Sequence, residues 1–171
     1  MTVFEFIKGD ISEVKADVIV NAANKTLLGG GGVDGAIHRR AGPGLLAECM
    51  SLGGCAAGLA KITGGHRLPA KFVIHTVGPV WNGGNKDEAG LLTACYRNSL
   101  VIAKERGLRS IAFPAISTGV YRFPRELAMP IAINTTMSFV KSNPSAFDKI
   151  IFVLFSDEDL ENYKAYFSKI G

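Results

Sequence analysis

The stretch VIVNAANKTLLGGGGVDGAIHRRAG, residues 18–42, reads as a strand, a glycine loop and a helix in succession. Val18, Ile19 and Val20 form a continuous apolar run, the pattern of a strand covered on both faces, and the strand is expected over Asp17–Asn21. Four consecutive glycines, Gly29–Gly32, follow. They pack nothing and lose much entropy on ordering. Their use is close backbone approach, with several N–H groups free to meet an anion. Asp34 reads as the N-cap of a helix running towards Gly42, and the positive end of that helix faces the same loop. Gly30, Gly32 and Gly35 match GxGxxG literally. The loop before them is too long for a dinucleotide fingerprint, however, and no acid follows about 20 residues on at a strand end. No GK[ST] follows either, which excludes a P-loop. An ordinary surface loop is the alternative.

Outward from this unit the alternation continues. Strands are expected at Val3–Ile7, Lys61–Arg67, Lys71–Val77, Ser110–Ile116 and Lys149–Phe155. Helices are expected at Leu45–Leu52, Asp87–Arg106, from Pro124 to about Lys141, and at Glu158–Ser168. Strands separated by helices mean an α/β sandwich with a largely parallel sheet. No repeat, low-complexity segment or linker divides the chain, so residues 1–171 are expected to form one domain. In such sheets ligands bind beyond the carboxyl ends of the strands.

A hydrophobic fraction of 47% with 20% charged residues excludes disorder. The apolar stretches Phe72–Trp81 and Met129–Val140 are too short or too interrupted for the ~20 residues a bilayer span needs. The N-terminus lacks a basic segment followed by an apolar one, so no signal peptide is expected. Cys49, Cys55 and Cys95 have no CxxC or Cys/His ligand spacing. They read as reduced thiols of a cytoplasmic protein, with no metal site. The net charge of +4 favours an anionic partner. The basic residues are scattered, densest at His38-Arg39-Arg40, without the stripe a duplex-binding protein shows. A small phosphate ligand fits this charge at least as well as a polymer.

Two more loops carry chemistry. Ile116-Ser117-Thr118-Gly119-Val120-Tyr121 joins a strand to the Pro124 helix, and its hydroxyls and N–H groups can converge on a phosphate. Taken alone it could equally be a plain capped turn; two such loops in one small α/β domain point to a diphosphate. Gly9-Asp10-Ile11 follows the first strand. A carboxylate can accept from an exocyclic amine and the next N–H can donate to a ring nitrogen, which suits adenine. Asp10 can also be a simple turn residue.

The segments Gly9-Asp10-Ile11, Val20–Asn24, Gly30–His38, His75-Thr76-Val77-Gly78-Pro79 and Pro114–Tyr121 together resemble the macrodomain family, and within it the MacroD-type ADP-ribose hydrolases. The motifs run in the family's order over essentially the whole chain. The resemblance implies a three-layer α/β/α sandwich around a mixed, mostly parallel sheet of about six strands, with ADP-ribose bound in a cleft. It implies removal of mono-ADP-ribose from acidic side chains of proteins, deacetylation of O-acetyl-ADP-ribose, or both, without metal or cofactor. Carried over by motif, Asp10 and Ile11 would hold the adenine, with Phe155 stacked on it or else buried in the core. Ser117, Thr118, Gly119, Val120 and Tyr121 would wrap the diphosphate, closed from the other side by Gly31, Gly32 and Val33. Asn24 and Asp34 would meet the distal ribose.

Residue chemistry separates the roles of that last pair. Asn24 can orient hydroxyls but takes no proton at neutral pH, whereas Asp34 can. A water held between Asp34 and an α-phosphate oxygen would attack the ester carbonyl or the anomeric carbon. His38, one turn after Asp34, is near enough to tune it or else packs at the helix surface. His75, within a strand, is expected to be structural.

Departures from the family pattern are Arg122, where a glycine is usual, together with Leu59, His66 and Arg40. Arg122 is strained if its position needs positive φ; otherwise it can add a contact to phosphate. Two other readings use the same cleft or the charge: a non-catalytic reader of ADP-ribose or poly(ADP-ribose), which the Asn24–Asp34 pair argues against, and an RNA-binding module, revealed by steep salt dependence. A monomer with no membrane or nucleic-acid partner is expected.

Overall fold

Six strands and five helices alternate along the chain in a computed structural model that describes all 171 residues, Met1–Gly171. The strands are β1 (Val3–Lys8), β2 (Val18–Ala23), β3 (Ala60–Gly64), β4 (Phe72–Val77), β5 (Ser110–Phe113) and β6 (Lys149–Leu154). The helices are α1 (Gly32–Ala41), α2 (Pro43–Met50), α3 (Glu88–Glu105), α4 (Arg125–Ser142) and α5 (Asp157–Ile170). All six strands join one sheet in the order β1-β6-β5-β2-β4-β3. Neighbours are parallel except β3 and β4, which are antiparallel. This is the mixed, mostly parallel sheet that the sequence leads one to expect.

Alternation along each strand builds the three layers. Val18, Val20, Ile111, Phe113, Ile150 and Phe152 face Leu92, Tyr96 and Leu100 of α3, Ile133 of α4 and Tyr163 of α5. Ile19, Val73, Val77, Ala112, Ile151 and Val153 face Ile37 and Ala41 of α1 and Leu45 and Cys49 of α2. The central strands are therefore apolar on both sides, which is why they read as unbroken hydrophobic runs.

Most strand and helix ends fall within two residues of expectation, and two strand ends fall three residues short. β5 stops at Phe113 rather than Ile116, since Pro114 has no N–H to continue the ladder. β3 stops at Gly64 rather than Arg67, because Gly65 N–H donates to Lys71 O and turns the chain into β4.

The sheet's centre makes the crevice. β2 and β5 pair only through Val18–Ile111 and Ile19–Ala112, although β2 continues to Ala23. From β2 the chain passes to α1 on one face, and from β5 to α4 on the other. Such a switch point leaves a cleft between the strand ends.

Candidate functional site

A cavity of about 400 Å³ opens at that switch point, within the range of small-ligand sites. One wall is Gly30–Asp34, the facing wall Ser117–Tyr121, and the floor includes Ala22, Ala23, Asn24 and Gly78. Phe155, Ser156, Asp159 and Arg125 close one end.

Both walls end in helix N-termini without a side-chain cap: Gly31 precedes α1 and Pro124 precedes α4. Exposed N–H groups and the positive ends of two helices thus converge on one space, a setting for anions. The N–H groups of Gly119, Val120 and Tyr121 donate to no other backbone group, as a phosphate cradle requires.

Asp34 is not the N-cap that the sequence suggests. Gly31 takes that place with an extended backbone, φ −96° and ψ −172°, and Asp34 lies in the first turn of α1. Glycine serves as a cap almost as well as an oxygen-bearing side chain, so the carboxylate is free for other use. It is 5% exposed. Its Oδ1 accepts from Asn21 Nδ2 at 2.8 Å. His38 Nε2 stands 3.3 Å from the same oxygen but out of hydrogen-bond alignment. Oδ2 turns the other way: a Cβ on Gly30 would lie 3.2 Å from it and 3.5 Å from Asn24 Nδ2. The two residues expected to act together therefore converge beside Gly30.

Asn24 has a narrower role than expected. Its Oδ1 accepts from Leu27 N at 3.1 Å and from Thr26 Oγ1 at 2.7 Å, and its Nδ2 donates to Gly29 O at 2.9 Å. It clasps the loop closed and keeps one amide hydrogen for a ligand, but no free oxygen to accept with.

The facing wall is strained. Ser117 has φ 67° and Arg122 φ 62°. Ser117 is buried with its hydroxyl lacking a protein partner. Gly78 must be glycine, since a Cβ there would overlap Ser117 Oγ. Phe123 N donates to Ser117 O, Arg122 N to Gly119 O, and Trp81 N to Tyr121 O, which over-determines the loop. Of the two readings of Arg122, the strained one holds: its side chain is exposed and lines no part of the cavity. Arg122→Gly is expected to raise stability by about 1 kcal/mol, the left-handed penalty of an ordinary residue. The melting temperature should rise by about 2–4 °C, with ligand affinity unchanged. A lower melting temperature would mean that Arg122 makes a compensating contact.

Phe155 lies just past β6 and is 67% exposed at the cavity rim, so it is not a core residue. Asp10 and Ile11, expected beside it, do not line the cavity. They follow β1, whose register with β6 ends at Lys8–Leu154. The Asp10 carboxylate caps the turn Ile11–Glu13, accepting from Ser12 N and Ser12 Oγ, and the Ser12 hydroxyl foremost holds it below the usual carboxylate range. Arg40 braces that turn through Ser12 Oγ and Glu13. The cavity thus unites eleven of the thirteen expected site residues, namely all but Asp10 and Ile11.

Arg125 and Asp159 were not anticipated; Arg125 Nη1 stands 3.8 Å from Asp159 Oδ2. Nor were Asn21 and His75 anticipated as neighbours of the site. The signal for both was a polar residue at a buried position of an apolar strand. The three cysteines are buried and unpaired, and burial foremost pushes the Cys49 thiol up to about 11. No helix is long and apolar enough to cross a membrane.

Comparison with known proteins follows the same outline. Residues 20–132 match the sequence model of the family described as Macro domain. The chain is 61% identical to a Macro domain-containing protein of Chlorobaculum tepidum over 92% of this chain and 91% of that one. It is 53% identical to the ADP-ribose glycohydrolase MACROD2 of Xenopus laevis, over 93% of this chain but 38% of that protein. The solved Oceanobacillus iheyensis macrodomain with ADP superposes with a TM-score of 0.91 at 44% identity, over 96% of this chain and 90% of that one. The Trypanosoma brucei macrodomain in complex with ADP-ribose does so with 0.89 at 43% identity, over 98% and 69%.

Proposed function

This chain belongs to the macrodomain family, and we propose that its cavity binds ADP-ribose and hydrolyses ADP-ribose adducts, either mono-ADP-ribose on acidic side chains or O-acetyl-ADP-ribose. The observation that carries this reading is the disposition of Asp34 between two phosphate-binding walls. Oδ1 is committed to Asn21, and Oδ2 faces the space beside Gly30 and Asn24.

With the diphosphate between Gly31–Val33 and Ser117–Tyr121, the distal ribose falls near Asn24 and Asp34. Asp34 Oδ2 accepts a hydrogen bond from a water, which orients the water's lone pair at the scissile bond. The water oxygen bonds to the ester carbonyl or to the anomeric carbon, and the carbon–oxygen bond to the leaving group breaks. After attack at the carbonyl one water proton ends on the departing ribose oxygen, and after attack at the anomeric carbon it goes to solvent as the carboxylate departs, giving free ADP-ribose and a carboxylic acid or its carboxylate. Asn24 donates its remaining amide hydrogen to a ribose hydroxyl. The kinship with an ADP-ribose glycohydrolase supports hydrolysis over mere recognition.

Hydrolysis run in ¹⁸O-water tests this. Label in the released ADP-ribose means attack at the anomeric carbon, and label in the freed carboxylate means attack at the carbonyl. ADP-ribose binding with no labelled product from either substrate would make the protein a reader.

Phe155 supplies a stacking surface at the far end, where the base would lie. Phe155→Ala should weaken ADP-ribose binding by about 5- to 30-fold, the lower half of the roughly 1–3 kcal/mol range for base stacking. Calorimetric titration checks it, and unchanged affinity would place the base elsewhere.

A further inference from the structure

A chain of buried polar groups runs from the catalytic carboxylate into the sheet, and the mechanism so far uses only its first member. Asn21 and His75 are opposite each other in the β2–β4 register, and both are fully buried. Asn21 Nδ2 lies 2.8 Å from Asp34 Oδ1 and 3.1 Å from His75 Nδ1. On the far side of the ring, His75 Nε2 lies 2.9 Å from Thr63 Oγ1 and 3.8 Å from Cys49 Sγ. Thr63 Oγ1 donates to Gly64 O at 3.1 Å.

One proton arrangement satisfies these contacts. The Thr63 hydroxyl hydrogen goes to Gly64 O, so Thr63 Oγ1 is left to accept from His75 Nε2–H. His75 is then neutral with a bare Nδ1. That lone pair accepts one amide hydrogen of Asn21, and the other amide hydrogen goes to Asp34 Oδ1. The opposite tautomer, or an imidazolium, would set Nδ1–H against the amide hydrogens and favour turning the Asn21 oxygen towards the ring. Burial, and after it the charge of His38, push the His75 imidazole down to about 4, in keeping with the neutral form. The amide flip is the bistable element: Asn21 Oδ1 has no partner of its own to hold it.

We infer that His75 is a positioning residue for the hydrolysis, its Nδ1 lone pair fixing the Asn21 amide so that Nδ2 holds Asp34 Oδ1 and leaves Oδ2 directed at the water. This rests on the role of Asp34 proposed above. An ordinary core histidine would matter only to stability.

The test compares His75→Gln and His75→Asn with the wild type and Asp34→Ala. The readouts are single-turnover ADP-ribose release, ADP-ribose affinity and melting temperature. Asn restores an oxygen acceptor near the place of Nδ1 but leaves the outer half of the ring's space empty. Gln reaches the place of Nε2 and offers nothing at Nδ1. Expected is a release rate lowered about 10-fold or more by His75→Gln with affinity kept, and recovery of most of that loss in His75→Asn. Rates that follow melting temperature instead, or that equal the wild type in both variants, overturn the inference. If neither variant folds, nitrogen NMR of the wild-type imidazole decides: Nε2–H supports the inference and Nδ1–H overturns it. Absence of release by the wild type overturns the function itself, whereas release that Asp34→Ala abolishes and the His75 variants do not overturns this inference alone.

Discussion

Between pH 6.5 and 4 the protein is expected to lose about 3 kcal/mol of stability through His75 alone. The imidazole is fully buried among Asn21, Thr63 and Cys49. Its pKa lies at about 4 against 6.5 for the free side chain, through burial first and the nearby His38 second. The native value is the depressed one, so as pH falls through 6.5 the unfolded chain binds a proton that the native protein refuses. The stability present above pH 6.5 therefore drains away until the native ring also protonates near 4. At about 1.4 kcal/mol per pH unit, the loss is a large share of a typical 5–15 kcal/mol total. Urea unfolding of the wild type and His75→Gln at a series of pH values measures it. The wild-type curve should fall more steeply across this window, and parallel curves would contradict the burial argument.

The other large effect is kinetic. Asp34→Ala should slow ADP-ribose release by about 10²–10⁴-fold, the range for a lost general base or water-orienting group. Affinity should be largely kept, since the phosphate walls are built from backbone N–H groups that the substitution does not touch. Removing the carboxylate also leaves Asn21 Nδ2 with one acceptor instead of two, at about 1–3 kcal/mol for a buried donor left unpaired. Melting of the same preparation separates that stability loss from the loss of chemistry. Asp34→Asn keeps the volume and an acceptor but cannot take a proton, so it should lie between Ala and wild type if orienting the water is the main role.

Much of this was legible in residues 18–42, because an apolar strand, a run of glycines and a helix start are local signals. The facing loop was legible for the same reason. What misled was Asp34: a carboxylate just after glycines looks like a cap, yet Gly31 can take that place, and tertiary packing against Asn21 decides. Asp10 and Ile11 matched their motif, and the turn they open does not line the cavity, although Ser12 engages only Oδ1 of the carboxylate. Arg125 and Asp159 carried no signal, because α4 and α5 are far apart in sequence and only the tertiary fold brings them into contact. The strain at Arg122 was readable as a conditional, and its φ of 62° resolves it. The His75–Asn21 contact depends on strand register, which strand patterns alone do not specify across a crossover.

Hydrolysis at Asp34 is tested by single-turnover release of ADP-ribose from a Glu- or Asp-linked mono-ADP-ribosylated protein, with calorimetric ADP-ribose affinity on the same wild-type and Asp34→Ala preparations. Release by the wild type should collapse in Asp34→Ala while both proteins still bind ADP-ribose. Rate and affinity falling together, or release that survives the substitution, would contradict it.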